Sequence, residues 1–127
     1  MRYCARSPLR IDFVGMTDYR PACVEFGGSI VNATINKYIY AGAQWRSDQR
    51  LVLHAQDQDA RRVEIETPEA LSPKGELGLA QAILRRFQLP QGLEMTTYSE
   101  MPSGAGLGSS STIATCIIAL LNAMTGS

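Results

Sequence analysis

The sequence predicts an α+β domain, and three observations carry that expectation. The first half breaks into short runs of β-branched, aromatic and aliphatic residues separated by turn signals. Two later segments, Gly75 to Phe87 and Ser109 to Met124, place apolar residues at helical spacing. A glycine-rich stretch stands directly before the second of them. Strands first, then helix, strand, Gly-rich loop and helix give an α+β order.

Each element has its own signal. Tyr3 to Gly15 mixes β-branched and apolar residues around Pro8 and reads as an irregular or edge strand. Thr17 to Gly28 carries Asp18, Pro21, Gly27 and Gly28 and reads as a loop, with a short turn over Cys23 to Phe26. Ile35 to Trp45 is aromatic-rich and roughly alternating, as a strand is. Leu51 to Ala55 and Val63 to Ile65 are two more strands, flanking a polar run from Gln56 to Arg62 that reads as a solvated hairpin. Gly75 to Phe87 ends in Arg85 and Arg86, which suit the negative end of a helix dipole, and Leu89-Pro90 stops it. Leu93 to Tyr98 is a strand. Ser109 to Met124 is apolar nearly all round and so asks for burial on every face, with Gly126 as its C-terminal cap.

Composition narrows the function classes. The chain has 127 residues, the size of one domain, with 12 basic and 12 acidic residues and 45% hydrophobic residues. That apolar fraction excludes a disordered chain. Zero net charge disfavours both non-specific nucleic-acid binding and a polybasic membrane anchor. Cys4, Cys23 and Cys116 form no CxxC pair, and His54 is the one histidine, so neither a disulfide framework nor a His-rich metal site has a starting point. Arg6, Arg10 and Asp12 interrupt any signal-peptide core. The longest apolar run, Ile113 to Met124, falls short of the roughly 20 residues that span a bilayer. A reducing cytoplasm is the expected compartment.

Pro102 to Thr112, PSGAGLGSSST, is the segment that carries chemistry. Three alternating glycines, Gly104, Gly106 and Gly108, sustain neither helix nor strand, and they let backbone amides approach an anion unobstructed. The helix start behind them presents unpaired amide donors and a partial positive charge. Ser109, Ser110, Ser111 and Thr112 add hydroxyls that can cap the helix, bond phosphate oxygens or face Mg²⁺. A P-loop needs GxxxxGK[ST], and no lysine follows Lys74. A dinucleotide fingerprint fails because Ser109 occupies its third glycine position and no acidic residue follows. A nucleophile elbow, GxSxG, is likewise missing. A phosphate loop of another class is favoured, with a flexible linker ahead of a Ser-capped helix as the plain alternative.

The segment PSGAGLGSSS resembles the second signature motif of the GHMP small-molecule kinases, Pro-x3-Gly-Leu-Gly-Ser-Ser. Pro8 to Gly15 together with Thr17-Asp18-Tyr19 resembles the family's opening substrate-binding segment. Phe26 to Tyr40, FGGSIVNATINKYIY, is most similar to the sugar-kinase branch that phosphorylates heptose phosphates. The resemblance implies the family's N-terminal domain, of the ribosomal protein S5 domain 2-like fold, with a mixed or antiparallel sheet and helices on one side.

It also implies ATP-dependent phosphoryl transfer to a sugar or sugar phosphate. By that pattern Pro102, Gly104, Gly106, Leu107, Gly108, Ser109, Ser110 and Ser111 hold the ATP phosphates, and Ser110 faces Mg²⁺. Asp18, Thr17 and Gly28 line the substrate pocket, and Arg10 sits by the transferred or substrate phosphate in a catalytic role. Read as bare residues, Asp18 caps a turn and Arg10 is a strand-surface charge, and both alternatives stay open.

The family's catalytic Asp and its third motif lie beyond the second motif, in a C-terminal domain. No carboxylate follows Glu100 here. Residues 1–127 are therefore expected to form an incomplete, truncated N-terminal domain without the C-terminal GHMP domain. The competing expectation is a catalytically inactive nucleotide-binding or self-associating domain, a homodimer through the apolar last helix.

Overall fold

The computed structural model describes residues 1–14, 24–57, 60–102 and 104–126. Its elements are β1 (Arg2–Val14), β2 (Val31–Trp45), β3 (Leu51–Ala55), β4 (Arg61–Ile65), a 3₁₀ turn (Pro68–Ala70), α1 (Gly78–Arg86), β5 (Leu93–Ser99) and α2 (Ser109–Thr125). The strands form one mixed sheet in the order β1-β2-β5-β3-β4, in which β5 runs parallel to β3 and every other pairing is antiparallel.

Alternation along the strands decides which face is covered. Ile39, Ala41 and Ala43 of β2 pair with Ser99, Thr97 and Met95 of β5, and Leu51, Leu53 and Ala55 of β3 pair with Leu93, Met95 and Thr97. All of these are buried, and they share a core with Ile83 and Leu84 of α1 and with Cys116, Ile117, Leu120 and Leu121 of α2. Each fully buried Leu or Ile there contributes roughly 1.5–3 kcal/mol of burial. The helices thus cover one face. The opposite face is polar: Arg2 donates to Gln44 (3.2 Å), Gln44 donates to Glu94 (2.7 Å), and Tyr38, Tyr40 and Tyr98 stand in a row. An antiparallel sheet with one solvated face has this composition.

The α+β class, the mixed sheet and the helices on one side agree with the sequence reading. β1 is an edge strand with the expected irregularity, a register shift between Pro8 and Arg10. β3 has the expected bounds, and β4 starts two residues earlier, at Arg61. β2 starts at Val31, because its first residues pair with the end of β1 in a two-stranded ribbon with no core beneath it. Exposed strand of that kind carries no alternation to read. α1 begins at Gly78, since Leu77 adopts a left-handed conformation (φ 51°) that ends the preceding loop. Gly126 caps α2 in the left-handed region (φ 73°), as expected.

The expectation that α2 is apolar on every face is corrected. Thr112, Cys116, Ile117, Leu120, Leu121 and Met124 form a single buried stripe. The outer face carries Ser111, Thr115, Ala119, Asn122 and Ala123, with Ile118 as its exposed large side chain. Alanines raise the mean hydropathy without demanding cover. Cys116 lies inside that stripe, donates its S–H to the Ile39 carbonyl (3.6 Å), and has its thiol pushed up by burial.

One connection shapes the far end of the sheet. Because β5 lies between β2 and β3, the chain from Trp45 to Leu51 steps over the start of β5. Gly92 donates to the Asp48 carbonyl (2.8 Å), Leu93 donates to the Arg50 carbonyl (3.1 Å), and Arg46 donates to the Gly92 carbonyl (2.8 Å). Asp48 ties the crossing with two bonds from Arg46 (both 2.7 Å) and one from the Arg50 side chain (2.9 Å).

Candidate functional site

The Gly-rich loop fills the connection between β5 and α2, and its backbone has the form that its glycines allow. Gly104, Gly106 and Gly108 all have positive φ (83°, 71° and 69°), the region where a side chain is strained. A Cβ at Gly104 or Gly106 would meet nothing within 4 Å, so the loop's face is open to an incoming group. Gly108 is the N-cap of α2. Pro102, Gly104, Gly106 and Ser110 are exposed, while Leu107, Gly108 and Ser109 are half-buried; Ser103 lies outside the described residues.

Hydrogen bonding sorts the hydroxyls of the first turn. The Gly108 carbonyl accepts from the Thr112 N–H, the Thr112 hydroxyl and the Ser111 hydroxyl, each at 3.0 Å. Ser111 and Thr112 are thus turned back onto the helix start. Ser109 and Ser110 instead line a cavity of about 290 Å³. That stands at the lower end of the volumes of ligand pockets, about 300–1,000 Å³. It lies between the N-terminal ends of α1 (Gly78, Leu79, Ala80) and α2 (Ser109, Ser110, Ile113), over a floor of Ile39, Leu53 and Met95. Thr97 and Ser99 add polar edges, and Ser99 is held in place by donating to the Met101 carbonyl (2.7 Å). His54 and Asp57 also line it, and the Asp57 Oδ1 is buried with no hydrogen-bond partner among the described residues.

The α1 side of the cavity is set by a loop that Gln81 braces. Gln81 is buried, accepts from the Ser72 N–H (2.8 Å) and donates to the Glu76 carbonyl (2.6 Å). A Cβ on Gly78 would overlap the Pro73 carbonyl, so this close approach requires glycine.

Arg10 stands on the other side of the loop. Its N–H donates to the Leu107 carbonyl (3.3 Å), its Nε to Asp12 (3.1 Å) and its Nη1 to Ser111 (2.7 Å). The structure thus brings Arg10 together with Leu107, Gly108 and Ser111. Gly28 is exposed ahead of β2 and is not among the residues lining the cavity. Thr17 and Asp18 lie outside the described residues. Sequence reasoning missed Asp57, which it left in a solvated hairpin, and the role of the helix start at Leu77–Ala80. The signal at the second was Gly75 before the helix and Gly78 at its first position. Among the described residues no group of three or more His, Cys, Asp or Glu could hold a metal ion, and no helix is long and apolar enough to cross a membrane.

Comparison with known proteins agrees with this architecture. Residues 76–127 match the GHMP kinases N terminal domain. The chain is 33% identical over 119 residues to the D-glycero-alpha-D-manno-heptose 7-phosphate kinase of Campylobacter jejuni, covering 89% of this chain and 35% of that protein. A crystal structure of a D-glycero-D-manno-heptose 1-phosphate kinase from Bacteriodes thetaiotaomicron superposes with a TM-score of 0.87 at 28% identity, over 100% of this chain and 43% of that one. In fold alone, Lactococcus lactis galactokinase complexed with galactose is similar over 99% of this chain and 33% of that one (TM-score 0.75, 22% identity). The chain therefore spans about a third of the curated kinase and about two fifths of the solved heptose-phosphate kinase.

Proposed function

We propose that this chain, whose residues 76–127 match the GHMP kinases N terminal domain and whose fold superposes on a heptose 1-phosphate kinase, is the nucleotide-binding lobe of an ATP-dependent sugar-phosphate kinase. The observation that carries this reading is the junction at Ser109 and Ser110. There the open, positive-φ glycine loop meets an apolar cavity at a helix N-terminus. A polyphosphate attached to a flat apolar base needs both halves of that junction. The phosphates take the loop amides and the α2 dipole, and the base takes the cavity over Ile39, Leu53 and Met95. Asp57 offers an unpaired acceptor to an amino group on that base.

In this reading the protein's work is positioning and charge neutralisation. Gly104 and Gly106 admit the phosphates without side-chain obstruction, and Gly108 orients the first turn of α2. The Ser110 hydroxyl would hold the Mg²⁺ that accompanies the nucleotide. The ion's chemical contribution is to neutralise the charge that develops on the transferred group. By the family pattern, Thr17, Asp18 and Gly28 orient the hydroxyl of a sugar or sugar phosphate. With no carboxylate after Glu100, the loop and α2 bind and orient and do not accept the proton.

Calorimetric titration with Mg·ATP tests the site directly. We expect binding by the wild type and a loss of about tenfold in affinity for Ser110→Ala, since a hydrogen bond to a charged group contributes roughly 1.5–3 kcal/mol. A wild-type chain that ignores millimolar Mg·ATP overturns the reading. A coupled ADP-release assay across heptose and hexose phosphates then separates turnover from binding alone, the outcome expected of a nucleotide-binding domain without catalysis.

A further inference from the structure

We infer that Ser111 and Asp12 are positioning residues, which lock the Arg10 guanidinium against the glycine loop and so set the loop's shape from the edge strand. The inference rests on the nucleotide-phosphate reading and assigns roles within it that the motif alone does not distinguish. A register shift follows Pro8, and at Arg10 the strand meets the loop. Leu9 enters the core beside it and is fully buried, which anchors the strand at that point. Arg10 then makes contacts in three directions. Its backbone N–H holds the Leu107 carbonyl (3.3 Å), Nε is held by Asp12 Oδ1 (3.1 Å), and Nη1 donates to Ser111 Oγ (2.7 Å).

The guanidinium also packs against Gly108, where a Cβ would overlap its Nη1 and stand 2.7 Å from its Cζ atom. Gly108 is where the loop becomes helix, at φ 69°. Any rotation of that peptide swings the α2 amides off the phosphate position, and Arg10 blocks it from one side. Ser111 completes the wedge: its hydroxyl accepts from Arg10 and donates to the Gly108 carbonyl (3.0 Å). Its one O–H donor is committed to Gly108, so it cannot also donate to a phosphate oxygen. Ser111 therefore acts on the phosphates through Arg10 and Gly108, in contrast to Ser110, which faces the cavity.

The test is a double-mutant cycle read by Mg·ATP affinity, with thermal melting as a control for folding. Ser111→Ala is expected to weaken binding about tenfold, the scale of one charge-assisted hydrogen bond. Ser111→Thr, which keeps the hydroxyl, restores binding to within about twofold of wild type, and Asp12→Asn, which keeps the acceptor, behaves likewise. Asp12→Ala weakens binding, and the Asp12→Ala/Ser111→Ala pair is no weaker than the worse single variant, because both act through one guanidinium. Full additivity in the cycle, or Ser111→Ala binding as wild type does, overturns the inference and leaves the phosphate-loop reading intact. A wild-type chain that does not bind Mg·ATP overturns both.

Discussion

Gly104 and Gly108 share a left-handed backbone but not a neighbourhood, and this contrast separates conformational cost from contact. At Gly104 (φ 83°) an added Cβ meets open space. At Gly108 (φ 69°) it meets the Arg10 guanidinium, which can withdraw only by giving up Asp12 and Ser111. Forcing an L-residue into this region costs about 1–2 kcal/mol. Gly104→Ala is expected to cost that and no more in urea denaturation, whereas Gly108→Ala costs distinctly more and also weakens nucleotide binding. Equal losses would mean that Arg10 does not press on the loop. The residue types of this loop were readable in the sequence because alternate glycines leave few other structures open. The partner of Arg10 was not readable. The motif resemblance implied a place for Arg10 by the transferred or substrate phosphate; its hydrogen bond to Ser111, 101 residues further along the chain, shows only in the fold.

Among the elements, the crossing from β2 to β3 depends most on a single side chain. Hydrogen bonding by Arg46 foremost, and by Arg50 after it, holds the Asp48 carboxyl well below the ordinary carboxylate range. A carboxylate with a depressed folded pKa adds stability that is present above its unfolded value, near 3.9, and is lost as pH falls through the folded value. Asp48→Asn is therefore expected to lower the denaturant midpoint at pH 7, and its difference from wild type should shrink steadily below about pH 4. A difference that stays constant into strong acid would show that the charge of Asp48 does not matter there. The same crossing shows what alternation conveys and what it omits. Leu51 to Ala55 and Leu93 to Tyr98, the second of which runs one residue further to Ser99, were legible because each sits in a packed layer. The order β2-β5-β3 was not, since nothing local in Arg46 to Arg50 states that β5 passes beneath. The cavity was invisible for a related reason: it is assembled from the end of β3, the start of α1 and the start of α2. Polar residues such as Asp57 look alike in sequence whether they face water or a ligand.

For the whole molecule, the arrangement makes ligand binding a statement about stability. The loop, the cavity and the core share one scaffold, because Ile113 and Ile117 of α2 line the cavity on the same helix that buries Leu120 and Leu121 beneath the sheet. The unfolded chain has no such junction, so the Mg·ATP binding proposed above would favour the folded state alone and stabilise it by mass action. At a free concentration a hundred times the Kd the gain is about 2.7 kcal/mol, which for a domain of this size raises the Tm by roughly 10 °C. The shift must also grow with the logarithm of nucleotide concentration. The polar face of the sheet, with Arg2, Gln44 and Glu94 bonded in a row, offers cations and hydroxyls but no cradle of amides. Inorganic triphosphate separates the two halves of the site. It occupies the loop without filling the cavity and is expected to give a smaller shift than Mg·ATP, and adenosine, which fills the cavity alone, a smaller one again. If triphosphate and ATP shift the Tm equally, the cavity takes no base and the nucleotide reading reduces to an anion site. If Ser110→Ala leaves the Mg·ATP shift unchanged, the loop is not where the phosphates bind.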